Sequence, residues 1–273
     1  MQNSIISFIG AGNMAISLIQ GLLKKNYPAK NIWATNTNVE RLNKLKNLNI
    51  NLTTDNRYAA QMANIVVLAV KPQILKNVTL EIADLIQEKK PLVISIAVGI
   101  NLKSLELYLS SKALPVIRCM PNIPALIGCG ATALFANLNC SIPQKNAAEA
   151  IFRSVGTVVW LPKEEQIEVV AALSGSGPAY FFLFIEALEE AAVELGLSKE
   201  IANSLTLQTA LGSARMAIES KKSLAELRHQ VTSPGGTTER ALEFLKTSHL
   251  PDIVKKALKE AQNRAEKLSK DFK

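Results

Sequence analysis

An α/β Rossmann-like N-terminal domain followed by an all-α domain is the fold class that the sequence predicts, and three observations carry it. Short β-rich runs alternate with helical segments over residues 1–162. Helical periodicity alone follows over residues 163–273. The first strand-to-helix junction spells a glycine fingerprint for binding a dinucleotide. At 273 residues the chain exceeds one average domain, so two are expected, 1–162 and 163–273.

The strands are read in order as Ile5–Ile9, Ile32–Thr35, Ile65–Val70, Leu92–Ala97 and Val116–Met120, then Ala131–Ala136 and Thr157–Leu161 on either side of a helix begun at Pro143. Several are apolar throughout, as in a parallel sheet covered on both faces. The first helix is Met14–Lys24. Beyond Leu161-Pro162 the helical segments fall near 164–172, 177–195, 198–219, 223–230, 237–246 and 251–270, broken by Gly, Ser and Pro. In the last of them, followed from Val254 to Phe272, Leu258, Ala261, Ala265 and Leu268 form the inner stripe and lysines the outer face.

Composition excludes several classes of function. A hydrophobic share of 48% with 20% charged residues fits an ordinary globular protein. The formal charge of +8, from 31 basic and 23 acidic side chains, is scattered and not gathered between aromatics, so no nucleic-acid partner is expected. No apolar run approaches the ~20 residues of a membrane helix; the richest, Ala179 to Ile185, stops at Glu186. With Ile5–Ile9 already a strand, no signal peptide is read, and a cytoplasmic location without a membrane partner is expected. Cys119, Cys129 and Cys140 form no CxxC pair and are read as reduced, although Cys119 ends a strand where a ligand could lie. With only His229 and His249 besides, no metal site is expected.

Chemistry concentrates in loops. Gly10, Gly12 and Ala15 keep GxGxxA spacing directly after the first strand: the first glycine permits the turn, the second lets backbone approach a pyrophosphate, and the small third residue lets helix and strand pack closely. The second strand ends in Ala34-Thr-Asn-Thr-Asn38, with no acid before Glu40 and with Arg41 beside it. The carboxylate that NAD sites use for the ribose is missing, and Asn36, Thr37 and Asn38 can donate to a 2′-phosphate, which favours NADPH and leaves NADH weaker. Further strand ends, Ala69-Val-Lys-Pro72, Ser95-Ile-Ala-Val-Gly99 and Arg118-Cys-Met-Pro-Asn122, point into the same cleft.

The most informative stretch is Thr232-Ser-Pro-Gly-Gly-Thr-Thr-Glu-Arg-Ala-Leu242. Gly235 and Gly236 can turn successive N–H groups toward one point, the following helix adds its positive end, and Ser233, Thr237 and Thr238 add hydroxyls, so the loop reads as a carboxylate receptor. A plain turn with an N-cap is the bland alternative. A second tight loop, Ser174-Gly-Ser-Gly-Pro-Ala-Tyr180, also opens a helix and tips the reading toward a substrate site. His229 near the motif is left as helix surface.

Taken in order, FIGAGNM (8–14), AVKPQ (69–73), SIAVG (95–99), RCMPNIPA (118–125), ALSGSGPAY (172–180) and VTSPGGTTERAL (231–242) resemble pyrroline-5-carboxylate reductase over nearly the whole chain. The resemblance implies NAD(P)H-dependent reduction of 1-pyrroline-5-carboxylate to L-proline, the last step of proline biosynthesis, with a helical domain that forms an interlocked dimer. It assigns the pyrophosphate loop to Ile9, Gly10, Ala11, Gly12, Asn13 and Met14, and the adenosine phosphate to Asn36. Asn56, Ala69, Val70, Lys71, Pro72, Ala97, Met120 and Asn122 would line the rest of the cofactor site. The substrate carboxylate would lie against Ser233, Gly236 and Thr237, with Thr238 at the ring nitrogen as the catalytic contact and Glu164 bordering the pocket. Gln230 departs from members that carry Asn there, beside the cofactor.

Two other functions are weighed. A hydroxy-acid dehydrogenase of the 6-phosphogluconate type would carry a catalytic lysine in the helical domain, and no glycine-flanked lysine matches. A non-catalytic NADP-binding protein would need only the first domain, and the hydroxyl-rich loop argues against it. A serine hydrolase at Ser174 or Ser176 lacks the GxSxG order. The helix after Ser174-Gly-Ser-Gly-Pro bears Tyr180, Phe181, Phe182, Leu183, Phe184 and Ile185, apolar on every face of its first turns, so a second chain is the expected cover: a homodimer, or a larger ring of dimers.

Overall fold

The structure, a computed structural model, describes residues 4–271. The strands are β1 (Ile6–Ile9), β2 (Ile32–Thr35), β3 (Asn51–Thr53), β4 (Ile65–Leu68), β5 (Leu92–Ser95), β6 (Val116–Met120), β7 (Gly130–Ala136) and β8 (Gly156–Trp160). The helices between them are α1 (Asn13–Lys24), α2 (Val39–Asn43), α3 (Asn56–Met62), α4 (Pro72–Lys89), α5 (Leu102–Tyr108) and α6 (Ile142–Arg153). All eight strands form one sheet in the order β3-β2-β1-β4-β5-β6-β7-β8.

The sheet is parallel except between β6 and β7, which pair antiparallel with Met120 opposite Ala133. The link Pro121–Cys129 holds only a short 3₁₀ turn, Ile123–Ile127, too short for the crossover that a parallel neighbour needs. The sequence expectation of a parallel sheet therefore holds for β1 to β6 and again for β7 with β8. β3 has no counterpart in the sequence reading: three residues, half-buried and mostly polar, carry no apolar signal, and the strand exists because it pairs with β2 at the sheet edge.

Both sheet faces are covered, which explains why β1, β4, β5 and β6 are buried along their whole length. On one face Ile6, Phe8 and Ile94 pack with Leu18, Ile19 and Leu22 of α1 and with Phe152 of α6. On the other, Ile9, Leu68 and Val93 pack with Leu75, Ile82 and Ile86 of α4 and with Leu105 of α5. Ser7 lies buried in β1 and is satisfied by donating to Ala59 O at 2.7 Å.

After Trp160 every regular element is helical: α7 (Gln166–Val170), a π-helical turn (Ala171–Gly175), α8 (Gly177–Glu194), α9 (Lys199–Glu219), α10 (Leu224–Gln230), α11 (Thr237–Thr247) and α12 (Leu250–Asp271). Phe272, the expected end of the last helix, lies outside the described residues. Two compact units form, one from the residues up to Ser176 together with those from Ala261 on, the other from Gly177–Glu260. Purely helical structure begins after Trp160, whereas the compact units divide at Ser176 and at Ala261: α7, the π turn and the end of α12 pack with the sheet, where Ile167, Ala171 and Ala265 share a small core with Met120.

The run Gln166–Glu194 is long and apolar enough, by length and composition, to cross a membrane. The sequence expectation that no run reaches that length is corrected here, because α7 and the π turn lengthen the apolar stretch upstream of Ala179.

Candidate active site

In an open α/β sheet, ligands bind beyond the carboxyl ends of the strands where the chain order reverses, and here that point lies at β1, between β2 and β4. A cleft of about 660 Å³ opens there. Its floor is Gly10, Gly12, Asn13 and Met14 after β1. One wall is Thr35, Asn36, Thr37 and Arg41 after β2, with Asn56. The other is Ala69, Val70, Lys71 and Pro72 after β4 and Ile96, Ala97 and Val98 after β5, with Ile74 and Val78 of α4.

Backbone geometry builds the floor. Gly10 has φ +98°, a conformation closed to side chains, and a Cβ there would come within 2.6 Å of Val70 Cγ1 and 2.9 Å of Ala69 O. Gly12 caps α1 with no side-chain hydrogen bond, and a Cβ on it would meet nothing nearer than Ala69 O at 3.9 Å. The first amide of α1 to bond within the helix is that of Ile16, on Gly12 O. The amides of Asn13, Met14 and Ala15 are therefore left for a ligand, with the positive end of the helix behind them.

A hydrogen-bond relay ties the ends of β1 and β2 to α3 and α4. Gly10 N–H donates to Thr35 Oγ1 (3.2 Å), the Thr35 hydroxyl to Asn56 Oδ1 (2.7 Å), and Asn56 Nδ2 to Glu81 Oε2 (3.1 Å). Asn36 Nδ2 donates to Ala11 O (3.3 Å), and its Oδ1 accepts from Asn38 N–H (2.9 Å). Among the described residues no carboxylate lines this cleft, while Arg41 and Lys71 bring two cations. A dinucleotide phosphate fits that chemistry: cations, open amides and a glycine without a side chain in the way.

The sequence-expected cofactor residues do not all face this space. Gly10, Gly12, Asn13, Met14, Asn36, Asn56, Ala69, Val70, Lys71, Pro72 and Ala97 line it. Ile9 is buried in the core beneath, and Ala11 is buried with its carbonyl toward Asn36. Met120 packs in the small core against Ile167 and Ala171, and Asn122 has both ends of its amide on backbone groups, Ala131 N–H (2.8 Å) and Ser174 O (2.9 Å). Arg41, Ile74 and Val78 line the cleft without having been assigned there from sequence. Arg41 had a signal, a cation just after the acid-free end of β2; the two apolar residues had none apart from their place on the first turns of α4.

The hydroxyl-rich loop is a separate construction within the second unit. Ser233-Pro-Gly-Gly forms a β-turn in which Gly236 N–H donates to Ser233 O at 3.0 Å and Gly235 takes φ +72°, the angle that a type II turn demands of its third residue. Gly235 N–H donates to Glu239 Oε2 at 2.7 Å. The sequence expectation that both glycine amides face a ligand is thereby corrected: they are spent inside the loop. What stands open is the start of α11, capped by Gly236 without a side chain, whose first internal bond is Arg240 N–H to Gly236 O. The amides of Thr237, Thr238 and Glu239 remain, with Ser233 and Thr237 exposed and Thr238 half-buried. α2, α3, α5, α6, α9 and α10 all carry side-chain caps, from Asn38, Asp55, Asn101, Ser141, Ser198 and Ser223. α1 and α11 start at bare glycines instead, which leaves their first amides open to a ligand; α4 and α7 also start without a side-chain cap.

Glu164 sits in the first unit, in a buried ion network that sequence reasoning missed. Its Oε1 accepts from Arg118 Nη1 (2.7 Å) and from Leu102 N–H (2.6 Å), while Arg118 Nη2 reaches Glu168 Oε1 at 3.4 Å and Ser269 Oγ donates to the same oxygen at 3.2 Å. The Arg118 side chain is only 3% exposed. Cys119, beside it, is fully enclosed, and burial pushes its thiol well above the usual range, so it is a packing residue and no nucleophile. Ser174 Oγ donates to Val170 O at 3.3 Å, within its own helix, and His229 is exposed at the end of α10.

A Rossmann-type cleft with an open helix start, in a chain whose second half is all helical, defines a dinucleotide-binding protein. Residues 5–99 match the family described as NADP oxidoreductase, coenzyme F420-dependent, and residues 164–268 match pyrroline-5-carboxylate reductase dimerisation. The chain is 45% identical over 273 residues to the pyrroline-5-carboxylate reductase of Pseudomonas aeruginosa, covering 100% of this chain and 99% of that one, and 42% identical to that of Vibrio alginolyticus, covering both in full. Among solved structures it resembles a pyrroline-5-carboxylate reductase from Coxiella burnetii (TM-score 0.94, 50% identity, 97% of this chain and 98% of that one). It also resembles the Plasmodium falciparum enzyme with NADP bound (TM-score 0.87, 31% identity, 98% and 99%). The chain belongs to the pyrroline-5-carboxylate reductase family.

Proposed function

We infer that the protein reduces 1-pyrroline-5-carboxylate to L-proline with NADPH, the last step of proline biosynthesis. The observation that carries this reading is the pairing, in one chain, of a cleft whose glycine floor and open α1 amides suit a dinucleotide with an uncapped, hydroxyl-rich start of α11 that suits a small carboxylate. Asn13, Met14 and Ala15 offer amides to the pyrophosphate, and Asn36, Thr37 and Arg41 offer donors and a cation to the 2′-phosphate, which favours NADPH over NADH. Lys71, Pro72 and Ala97 wall the nicotinamide side. Bound there, NADPH supplies the hydride.

On the substrate side the amides of Thr237 and Thr238 and the Ser233 hydroxyl hold the carboxylate. Thr238 donates a hydrogen bond to the imine nitrogen, which makes the neighbouring carbon a better hydride acceptor. A threonine hydroxyl is far too weak an acid to hand over its proton, so the substrate enters protonated or takes a proton from water. The residues then act by orientation and electrostatics. Glu164, which the family resemblance sets beside the substrate, is anchored on Arg118 in the first unit.

Oligomerisation rests on the helical half of the chain, where residues 164–268 match the dimerisation family. Phe181, Phe182, Leu183 and Phe184 of α8 and Leu205, Leu207 and Leu211 of α9 are exposed on the single chain. Large apolar side chains exposed in that number are covered by a second copy more readily than by a membrane, which supports a homodimer, or a ring of dimers, working in the cytoplasm. The functional division is a cofactor domain, 1–162, and a substrate and dimerisation domain, 163–273. The direct test is NADPH oxidation with and without pyrroline-5-carboxylate, and oxidation that does not depend on the imine would refute the function.

A further inference from the structure

Asn122 is expected from the family resemblance to touch the cofactor, yet its amide is committed elsewhere. The sequence explains why. Within a helix the Ser174 carbonyl would accept from the amide four residues on, but that residue is Pro178, which has no N–H. The chain passes this point as a π turn, Ala171–Gly175, closed by Ser176 N–H on Ala171 O at 2.9 Å. Asn122 Nδ2 supplies the missing donor to Ser174 O at 2.9 Å. Its Oδ1 accepts from Ala131 N–H at 2.8 Å, at the start of β7, and Asn122 itself is 9% exposed. One side chain thus ties the Ser-Gly-Ser-Gly-Pro turn to the start of β7.

What the turn does follows from its neighbours. Gly175 lies flat against Met120: a Cβ there would stand 2.3 Å from the Met120 methyl. Gly175 and Ser176 wall a cavity of about 460 Å³ shared with Val98, Met120 and Arg264, and Val98 also lines the dinucleotide cleft. The π turn and the dinucleotide cleft thus have Val98 as a common wall. π bulges commonly occur at functional sites because they place backbone groups that a regular helix would hide.

We propose that Asn122 is a positioning residue for the reaction: by replacing the donor that Pro178 lacks, it holds the Ser174–Ser176 turn where it shapes the reacting end of the site, and it makes no contact with the cofactor. This rests on the reductase reading given above.

The test compares the full-length enzyme with Asn122→Asp, which keeps the acceptor for Ala131 and loses the donor to Ser174, and Asn122→Ala, which loses both. For Asn122→Asp the dissociation constant for NADPH changes less than about twofold, while kcat for the imine falls about 10- to 100-fold, the scale of a misplacement near 1 Å. Hydrogen exchange of the amides in 171–177 accelerates in both variants, and that of Ala131 accelerates in Asn122→Ala alone. Asn122→Gln, which retains both functions on a longer arm, recovers part of kcat. A tenfold rise in the NADPH dissociation constant with kcat preserved makes Asn122 a cofactor ligand and overturns the proposal. Unchanged exchange in 171–177 also overturns it. The exchange and binding readouts need no turnover, so failure of the unaltered protein to reduce the imine would strike the functional reading and leave this one to be judged separately.

Discussion

Gly12→Ala separates the two uses of glycine in the fingerprint. Gly12 has φ −84° and ψ −179°, which alanine adopts freely, and the new Cβ would meet nothing nearer than Ala69 O at 3.9 Å. Restricting the unfolded chain contributes about 0.4–1 kcal/mol. Alanine is a poorer N-cap than glycine by about 0.5–1 kcal/mol. The two nearly cancel, so the cofactor-free protein should keep its stability to within about 1 kcal/mol. The methyl group nevertheless projects from the cleft floor, where a pyrophosphate must approach the backbone. Crowding of that kind costs roughly 1–3 kcal/mol, or about 5- to 150-fold in the dissociation constant for NADPH. Gly10→Ala should behave oppositely. Its φ of +98° costs about 1–2 kcal/mol for a residue with a side chain, and a Cβ 2.9 Å from the Ala69 carbonyl adds about 1–3 kcal/mol of overpacking, for a total of roughly 2–5 kcal/mol of folding stability. Urea unfolding of both variants without cofactor, at one fixed protein concentration because assembly contributes to stability, and fluorescence titration with NADPH give the two quantities. The reasoning fails if Gly12→Ala loses more than about 2 kcal/mol of stability or binds NADPH as tightly as the parent.

Thr238→Ala should lower kcat about 100-fold with NADPH affinity intact, and Ser233→Ala should mainly raise KM, since a carboxylate contact is present in ground and transition states alike; steady-state kinetics with an unchanged kcat for Thr238→Ala would reduce that residue to a helix start. Asn36→Asp keeps the acceptor for Asn38 N–H but sets a carboxylate against a 2′-phosphate, so the ratio of kcat/KM for NADPH over NADH should fall, and a ratio that stays the same would count against Asn36 at that phosphate. Arg118→Met strands two carboxylates that are only 24% and 12% exposed, and unfolding should show a loss near the lower end of about 3–5 kcal/mol, largely recovered when Glu164→Gln and Glu168→Gln are added; an unaltered midpoint in the single variant would mean that the network is not structural. Asp84 is held at about 2 by its two-pronged hydrogen bonds with Arg57. Since that pKa is depressed by folding, the stabilisation is complete above the ordinary carboxylate value of about 4 and is lost as pH falls toward 2, so the stability difference between the parent and Arg57→Gln should shrink across that window in acid unfolding series and contradict the assignment if it grows.

Much of this molecule is local and therefore legible in the chain. Seven of the strands announce themselves as short runs rich in apolar and β-branched residues, most clearly β1, β4, β5 and β6, which are buried along their whole length between covering helices. The helices of the second half announce themselves by periodicity, and their starts by capping residues such as Ser198 and Ser223. The GxGxxA turn and the Ser-Pro-Gly-Gly-Thr-Thr loop are equally local: φ angles of +98° at Gly10 and +72° at Gly235 demand glycine wherever the loops lie in space. Tertiary structure alone decided the rest. β3 is three unremarkable residues that become a strand only because β2 has a free edge beside them, and β7 reverses direction because the chain between Met120 and Gly130 cannot cross the sheet. The partners of Arg118 lie 46 and 50 residues away in sequence, and no pattern of spacing foretells a buried charge whose neighbours arrive from other elements. The same holds for Asn122, whose amide answers a proline 56 positions later. Sequence periodicity reports which face of an element is buried, whereas which distant groups meet on that face depends on how the whole sheet and its covering helices pack.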